Sequence, residues 1–324
     1  MSYGDQDFLE ERHRSFETPE KVIFDLVEKA TGKKATARNR IVAGFDNEVY
    51  SVKVSDGKEY ITRVRRFGEV TFHQEAWAIE QSKAKGVPVP QILLMDNIEQ
   101  DGKKLEVMVT DKFDGVPLYD KLKTLSESDL HKILFDAGSI LGKINGIPVD
   151  GFYMRHEDGS WDFPSWERMM ETAIKERGAE KDRILKNGFS EEEFDFMIKG
   201  LERYKNEFPN QQPVLCHGDY LPEHIFINEN NEVIGIIDFG MSQGGQKIHD
   251  LAFFSMEWPS IDMKPLKDGY VTQTNLPDQF DAELNFCKLG LEMGHLAYQT
   301  QISNTKGAGF IAKQLRATLE ALKA

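Results

Sequence analysis

The chain has 324 residues, 40% of them hydrophobic, and a formal net charge of −14. This length accommodates two lobes or two modest domains, and the apolar content supports a buried core. The acidic balance disfavours a nucleic-acid partner, because phosphate backbones are bound by basic patches. It suits a cationic small-molecule partner and a merely solubilising surface equally well, so both interpretations stay open.

The sequence predicts a soluble, cytoplasmic protein without a membrane partner. No stretch approaches the roughly 18 consecutive apolar residues of a membrane-spanning helix. Residues 1–10 lack the basic and then apolar pattern of a secretion signal. The two cysteines, Cys216 and Cys287, stand in no motif spacing and require no disulfide. Cys216 falls in an apolar strand, where a buried free thiol is expected.

The first third of the chain predicts a helix followed by a strand-rich region. Thr18, Pro19 and Glu20 suit the N-cap, first and second positions of a helix that Gly32 ends. The turn at residues 55–58 contains a glycine between two apolar runs, which predicts a hairpin. The expected elements after the first helix are strands at 49–54, 59–64, 91–95 and 105–110, with a second helix at 72–85.

The rest of the chain predicts mainly helices. Polar residues with glycine and proline at 110–118 mark a linker. The stretch 128–145 carries a strong apolar stripe at helical spacing, which indicates core. Trp161, Phe163 and Trp166 form an aromatic cluster for which packing is the favoured interpretation. The last expected helices cover residues 249–258, 277–303 and 308–322.

Residues 214–251 carry the chemistry of the sequence. A short apolar strand ends in His217-Gly218-Asp219, and the strand at 233–237 ends in Asp238-Phe239-Gly240. Between them lie another strand, 225–227, and a polar turn, so a hairpin can bring the two aspartates together. Two carboxylates held close together repel each other, and a shared divalent cation would offset this repulsion. Magnesium binds carboxylates and nucleotide phosphates, so we predict phosphoryl transfer from a magnesium nucleotide to an alcohol.

These motifs resemble those of the aminoglycoside phosphotransferase and choline kinase superfamily, small-molecule relatives of the protein kinases. The resemblance rests on HGD, a metal-ligand position, IDFG and a later Asp before Leu-Ala. It implies that Asp219 is the catalytic aspartate, that His217 supports its loop and that Asp238 is the main Mg²⁺ ligand. It also implies that Asp250 ties the loop backbone together. The implied fold is α+β and kinase-like, with a small β-sheet lobe at 1–113 and a larger, mainly helical lobe at 114–324.

The resemblance also assigns the nucleotide-binding residues. A loop before the hairpin would cover the phosphates, and a basic residue on the third strand would contact them. Arg65 and Arg66 lie close enough to compete for that assignment. An acidic residue in the second helix would pair with the basic one, against the alternative of a charge that favours a helix N-terminus. Backbone groups of the linker would bind the base of ATP or GTP. The residues so assigned are Gly44, Asn47, Val49, Arg63, Glu75, Thr110, Lys112 and Phe113.

Two positions depart from the family pattern. His224 stands at a position where the family commonly has Asn. Macrolide phosphotransferases and some 2''-aminoglycoside phosphotransferases resemble this chain in having His there. Neutral imidazole can bind a divalent ion, although Mg²⁺ prefers harder ligands, and we predict His224 as the second metal ligand. Residues 245–247 are Gly-Gln-Lys, where relatives usually show Gly-Asp-Pro.

The sequence therefore predicts a kinase that phosphorylates a hydroxyl of a small, cationic molecule, with an aminoglycoside-type antibiotic as the leading acceptor. His224 keeps a macrolide acceptor open. A kinase of an endogenous small alcohol, such as choline, a sugar or a metabolite, is a further alternative. A nucleotide-binding module without activity is the least favoured, because every catalytic element is present.

Overall fold

The computed structural model describes residues 10, 13–14, 16–42, 47–67, 71–209 and 211–323. Contacts within the chain divide it into two compact units. The sheet unit contains the described residues up to Asp120 together with Ile225–Gly240. The helical unit contains Lys121–His224 and the described residues from Met241 onward. Within the described residues, no helix has the length and apolar character needed to cross a membrane.

The structure is mixed α+β, as predicted. Its elements up to the linker are α1 Glu20–Thr31, β1 Ala35–Ile41, β2 Asn47–Val54, β3 Glu59–Arg65, α2 Phe72–Ala84, β4 Ile92–Gln100, β5 Lys103–Asp111 and β6 Val116–Pro117. The next elements are α3 Leu118–Lys121, α4 Glu127–Ile144, β7 Phe152–Arg155, β8 Trp161–Phe163, α5 Trp166–Ala179, α6 Lys181–Leu185, α7 Glu191–Glu207 and β9 Val214–Cys216. The last are β10 Ile225–Ile227, β11 Val233–Ile236, a 3₁₀ turn Phe239–Met241, β12 Gln243–Gly245, α8 His249–Glu257, α9 Lys264–Tyr270, α10 Phe280–Gln301 and α11 Thr305–Lys323.

The sheet unit is built on an antiparallel sheet of order β1-β2-β3-β5-β4. Helix α1 covers one face, because its apolar stripe, including Ile23 and Val27, packs on valines that alternate along the strands. Gly32 ends the helix in the left-handed conformation at φ 70°, as its position in the sequence predicts. The predicted hairpin of β2 and β3 is also present.

The predicted N-cap of α1 is wrong. Pro19 occupies the cap position, and the helix begins at Glu20. Thr18 instead donates its N–H and its hydroxyl to the carboxylate of Glu48, at 3.0 and 2.7 Å. Glu48 is fully buried. An unpaired buried charge costs more free energy than an uncapped helix end, so the Thr18 groups bind Glu48.

A small second sheet of order β11-β10-β6 belongs to the same unit. Ile225 pairs with Ile236, so the hairpin predicted between the two aspartates forms. Asp219 itself belongs to the helical unit and Asp238 to the sheet unit. Their joint action on one cation therefore stays a prediction.

The helical unit encloses a four-stranded sheet of order β8-β7-β12-β9. Helices α4 and α9 pack with their backbones in close approach, because a Cβ on Gly138 would lie 1.9 Å from the carbonyl oxygen of Leu266. Trp166 is buried and meets Tyr204 edge-on, with ring centroids 5.0 Å apart. The aromatic cluster predicted before α5 thus includes at least one core residue.

Glu292 is a buried acid between α10 and α11. Its side chain is fully buried, accepts a hydrogen bond from the Thr318 hydroxyl at 3.0 Å and lies 3.7 Å from the Lys288 amine. Burial raises the pKa of Glu292 from its ordinary value of 4.5 to about 7, although Lys288 and Thr318 oppose the shift. The folded state therefore keeps a proton that the unfolded chain releases at lower pH.

We expect the contribution of Glu292 to the free energy of unfolding to fall as pH rises from 5 to 8, because this carboxyl group binds fewer protons in the unfolded state over this range. Glu292→Gln should remove that contribution from the pH slope and stabilise the protein at pH 8 by about 1–3 kcal/mol. Urea unfolding at both pH values measures the effect. Glu320→Gln, at an exposed position of α11, is the matched control. An unchanged slope in Glu292→Gln would contradict the prediction.

Candidate active site

One cluster of charges in the sheet unit joins three predicted site residues. The guanidinium of Arg63 forms an ion pair with Glu75, and its second terminal nitrogen lies 3.6 Å from the Asp238 carboxylate. Strand β3 presents Arg63 opposite Val49 of β2, and α2 presents Glu75 in its first turn. The ring of Phe72 lies 5.1 Å below the guanidinium. Two carboxylates therefore share one cation, which leaves the cluster with a net negative charge.

The two carboxylates differ in exposure. The Glu75 side chain is 3% exposed and the Asp238 side chain is 42% exposed. Burial raises the pKa of Glu75 above its ordinary value; the charge of Asp238 adds to the shift and Arg63 opposes it. Glu75 thus serves to hold Arg63, whereas the Asp238 carboxylate is accessible to a cation.

The backbone of Asp238 is strained into the left-handed region, with φ 65°. Such a conformation is costly for a residue with a side chain and is found preferentially at functional sites. Gly240 follows closely, and a Cβ there would lie 3.3 Å from an Asp238 carboxylate oxygen. The absence of a side chain at Gly240 keeps the carboxylate uncrowded.

The structure distinguishes Arg63 from its neighbours. Arg65 binds Glu106 at 3.0 Å, and Arg66 binds the buried Glu48 at 2.6 Å. Both guanidinium groups are thereby committed to structural ion pairs. Among these three arginines of the described chain, Arg63 is the one paired with the predicted Glu75, and its contact with phosphate stays a prediction.

The other residues assigned to the nucleotide are spread over the sheet unit. Asn47 begins β2, and Thr110 is buried in β5. Lys112 forms an ion pair with Glu59. Phe113 packs on Gly235, where a Cβ would lie 2.2 Å from its ring. Gly44 lies outside the described residues.

A second cluster, in the helical unit, fixes the loop that carries Asp219. Asp250 is fully buried at the start of α8, and its carboxylate accepts the backbone N–H groups of His217 and Gly218 at 2.9 and 2.8 Å. The Asn145 side chain donates to the same carboxylate at 2.8 Å. Burial alone would raise the pKa of Asp250, but His249, the Asn145 bond and His217 hold it below the ordinary value. A charged carboxylate that accepts three hydrogen bonds therefore holds the loop.

The loop turns at Gly218, which has a left-handed φ of 81°. A Cβ on Gly218 would lie 1.9 Å from the backbone oxygen of Met241. Glycine is thus required at this position both for its conformation and for the close approach of the two backbones.

The two predicted histidines of the loop make different contacts. His217 is fully buried, and its Nδ1 accepts the Asp219 N–H at 3.2 Å. The Nδ1 of His224 lies 2.8 Å from the Asp219 carbonyl oxygen and 3.5 Å from its carboxylate. Because a carbonyl only accepts, this Nδ1 carries a proton. In the neutral ring the lone pair of His224 is then on Nε2, the nitrogen able to bind a metal ion.

Comparisons with known proteins identify the family of the chain. The family model for the phosphotransferase enzyme family matches residues 38–282, more than half of the chain. The chain belongs to this family. The predicted relation to the aminoglycoside phosphotransferase superfamily is confirmed, and so is the prediction that the chain is a small-molecule kinase. No match was found among curated protein sequences.

Solved structures show that this phosphotransferase shares the kinase-like fold of its family. A thermostable mutant of aminoglycoside phosphotransferase APH(4)-Ia matches with a TM-score of 0.72 at 16% identity, over 92% of this chain and 98% of that one. A putative fructosamine-3-kinase from Thermobifida fusca matches with 0.66 at 16% identity, over 94% and 100%. The GDP and kanamycin complex of APH(2'')-IIIa matches with 0.63 at 15% identity, over 92% and 98%.

Sequence reasoning missed Asn145 as part of the phosphotransferase site. Its amide bridges the Asp250 carboxylate and the Leu215 carbonyl oxygen, at 2.8 and 3.0 Å, and the residue is fully buried. The available signal was a polar side chain that directly follows the apolar stripe of α4. The partner could not be inferred, because it lies far away in the chain.

Gly218→Ala should destabilise the phosphotransferase by several kcal/mol, because the new methyl group overlaps the Met241 backbone. Gly57→Ala is the matched control. Gly57 has a φ of 87°, yet a Cβ there meets nothing within 4 Å. This control should cost only about 1 kcal/mol of conformational strain. Chemical unfolding of both variants measures the difference, and equal losses would show that the close approach is unimportant.

Proposed function

We propose that the chain transfers the γ-phosphate of ATP or GTP to a hydroxyl group of a small cationic molecule. The observation that carries the proposal is the catalytic loop, which Asp250 holds by two backbone N–H groups next to Asp219. Positioning and electrostatic stabilisation provide most of the catalysis in phosphoryl transfer. A carboxylate on a rigid loop suits that requirement.

Asp219 is the group that orients the acceptor hydroxyl and takes its proton. The acceptor oxygen forms a bond to the γ-phosphorus, and the bond from that phosphorus to the β–γ bridging oxygen breaks. The nucleoside diphosphate then leaves with the bridging oxygen. Arg63, held by Glu75, contacts the phosphates of the nucleotide. Solved neighbours include complexes with AMP-PNP, ADP and GDP, which supports either purine nucleotide as the donor.

Magnesium fits the donor groups of the chain. Asp238 offers a half-exposed carboxylate within the cluster of net negative charge that it forms with Arg63 and Glu75, and Mg²⁺ favours such oxygen ligands. His224 offers Nε2, because its Nδ1 is bonded to the Asp219 carbonyl oxygen. We propose these two residues as the protein ligands. When bound, the ion neutralises charge on the phosphates.

The cationic character of the acceptor is supported by Glu223, a carboxylate that follows Asp219 by four positions in the chain. Glu223 belongs to the same loop and accepts a hydrogen bond from the Trp258 indole N–H at 3.3 Å. A carboxylate beside an indole ring can bind an ammonium group by charge and by cation–π attraction. Neighbours of this fold were solved with hygromycin B and with kanamycin. An aminoglycoside-type acceptor is therefore the leading candidate.

Two other acceptors each have one supporting observation. The His224 contact with the Asp219 backbone keeps the macrolide class, in which the loop carries His, as a candidate. The similarity to a putative fructosamine-3-kinase supports a sugar-derived metabolite acceptor. A panel of kanamycin, hygromycin B, erythromycin, choline and fructosamine, each tested with ATP and GTP, separates these classes by coupled diphosphate release.

Asp219→Ala should lower the rate with any accepted substrate by about 10²- to 10⁴-fold, because it removes the proton acceptor. Nucleotide affinity, measured by calorimetry, should change little. Asp195→Ala, at an exposed position of α7, is the control and should keep full activity. If Asp219→Ala keeps its rate, or if no acceptor releases diphosphate from the parent protein, the proposed function is wrong.

His224→Asn should retain activity and change the preference between Mg²⁺ and Mn²⁺, because it exchanges a nitrogen ligand for an oxygen ligand. His224→Ala should lose much more, since it removes the ligand and the bond to the Asp219 carbonyl oxygen. Steady-state rates of both variants with each metal measure this. Equal and metal-independent rates would reduce His224 to a packing residue.

A further inference from the structure

Three buried side chains beneath the catalytic loop bring together ligand atoms of a second type. Cys216 ends β9, and His249 and Asp250 begin α8. The Sγ of Cys216, an imidazole nitrogen of His249 and a carboxylate oxygen of Asp250 all lie within 4.8 Å of one another. This cluster shares no residue with the magnesium ligands proposed above.

The backbone around Cys216 fixes the position of its sulfur. Strand β12 pairs with β9, with Gln243 opposite Cys216. A Cβ on Gly245 would lie 2.9 Å from the Cys216 Sγ, so the glycine allows the sulfur its position. The carbonyl oxygen of Gln246 lies 3.4 Å from the same sulfur. Residues 245–246 belong to the Gly-Gln-Lys segment, one of the two departures from the family pattern.

The imidazole of His249 has one nitrogen, Nδ1, whose nearby protein partner is the Asp250 carboxylate at ion-pair distance. Its Nδ1 is buried without a hydrogen-bond partner and lies 3.6 Å from an Asp250 carboxylate oxygen. Its Nε2 lies 2.7 Å from the side-chain amide of Gln243. Buried polar nitrogens without a partner are rare in native structures. A half-turn of the Gln243 amide presents its oxygen to Nε2–H, which frees the Nδ1 lone pair for a metal ion.

We propose that Cys216, His249 and Asp250 form a zinc-binding site. Thiolate, imidazole and carboxylate are the ligands that Zn²⁺ takes in tetrahedral sites, whereas Mg²⁺ takes oxygen ligands. The 3.6 Å separation of the His249 and Asp250 atoms is close to that of two ligands about 2.0–2.2 Å from one tetrahedral ion. The Gln246 carbonyl oxygen or a water molecule supplies the fourth ligand.

Binding releases one proton, from the Cys216 thiol to solvent, as the sulfur bonds to the ion. Burial raises the pKa of this thiol well above its ordinary value, and the charge of Asp250 adds to the shift. The thiol therefore keeps its proton until a metal ion displaces it.

The site has a consequence for activity that rests on the proposed function. The Asp250 carboxylate that would bind zinc is the one that accepts the His217 and Gly218 N–H groups. A zinc ion draws electron density from this carboxylate and competes for its lone pairs. Zinc occupancy should therefore alter the phosphoryl-transfer rate through the position of the catalytic loop.

Cobalt(II) is the probe that tests the site, because its spectrum reports the ligands independently of activity. The reduced, chelator-treated full chain is titrated with Co²⁺ in excess Mg²⁺, which occupies oxygen-ligand sites. We expect one equivalent to produce a cobalt–thiolate charge-transfer band with the visible bands of four-coordinate cobalt, and one equivalent of Zn²⁺ to remove both.

Cys216→Ser should abolish the charge-transfer band, whereas Cys287→Ser, at the other buried cysteine, should leave it intact. His249→Gln keeps both cysteines and should weaken cobalt binding by at least about 10-fold. This variant decides the matter if Cys216→Ser fails to fold, as judged by circular dichroism. Absence of the band in the parent protein, its persistence in Cys216→Ser, or unchanged affinity in His249→Gln would overturn the proposal. None of these results depends on finding the acceptor of the kinase.

Discussion

The buried carboxylate of Asp250 is the interaction on which the catalytic loop depends. A charge with no exposure to solvent is costly unless its oxygens are bonded, and here two backbone N–H groups and the Asn145 amide meet them. The residue also sits in the first turn of α8, where the helix dipole favours a negative charge. Removing the carboxylate would therefore release the turn at His217 and Gly218 together with the position of Asp219.

In the sheet unit, too, a buried carboxylate fixes the position of a functional group. Arg63 lies between Glu75 and Asp238, and these two acids differ in their exposure to solvent. The buried Glu75 fixes the guanidinium, while Asp238 keeps an accessible carboxylate in a strained backbone conformation. Backbone strain at Asp238 and the close backbone approach at Gly218 each cost conformational free energy, which the surrounding contacts offset. Both occur next to the residues to which we assign the chemistry.

The use of backbone groups in the Asp250 network is compatible with low sequence identity. The chain matches APH(4)-Ia with a TM-score of 0.72 at only 16% identity. Backbone N–H donors are supplied by almost any residue, so the Asp250 network demands few particular side chains beyond the acid, the glycine and the amide. The acceptor surface has no such constraint, and a shared fold does not specify its ligand.

The sequence by itself determined the elements and the motif. Helical and alternating periodicities predicted α1, the β2–β3 hairpin and α4 nearly to their ends, because local spacing decides which face of an element is apolar. The HGD and IDFG motifs predicted the family, since their chemistry requires those residues at strand ends. Tertiary structure decided the rest through partners distant in the chain. Thr18 binds Glu48 and so does not cap α1. Strand β9 pairs with β12 and not with the neighbouring hairpin. Arg66 and Arg65 form ion pairs with Glu48 and Glu106, so Arg63 is the arginine that binds Glu75. Asn145 reached Asp250 in the same way. Local periodicity carries no information on such pairings, because a buried charge takes its partner from whatever the folded chain brings within hydrogen-bond distance.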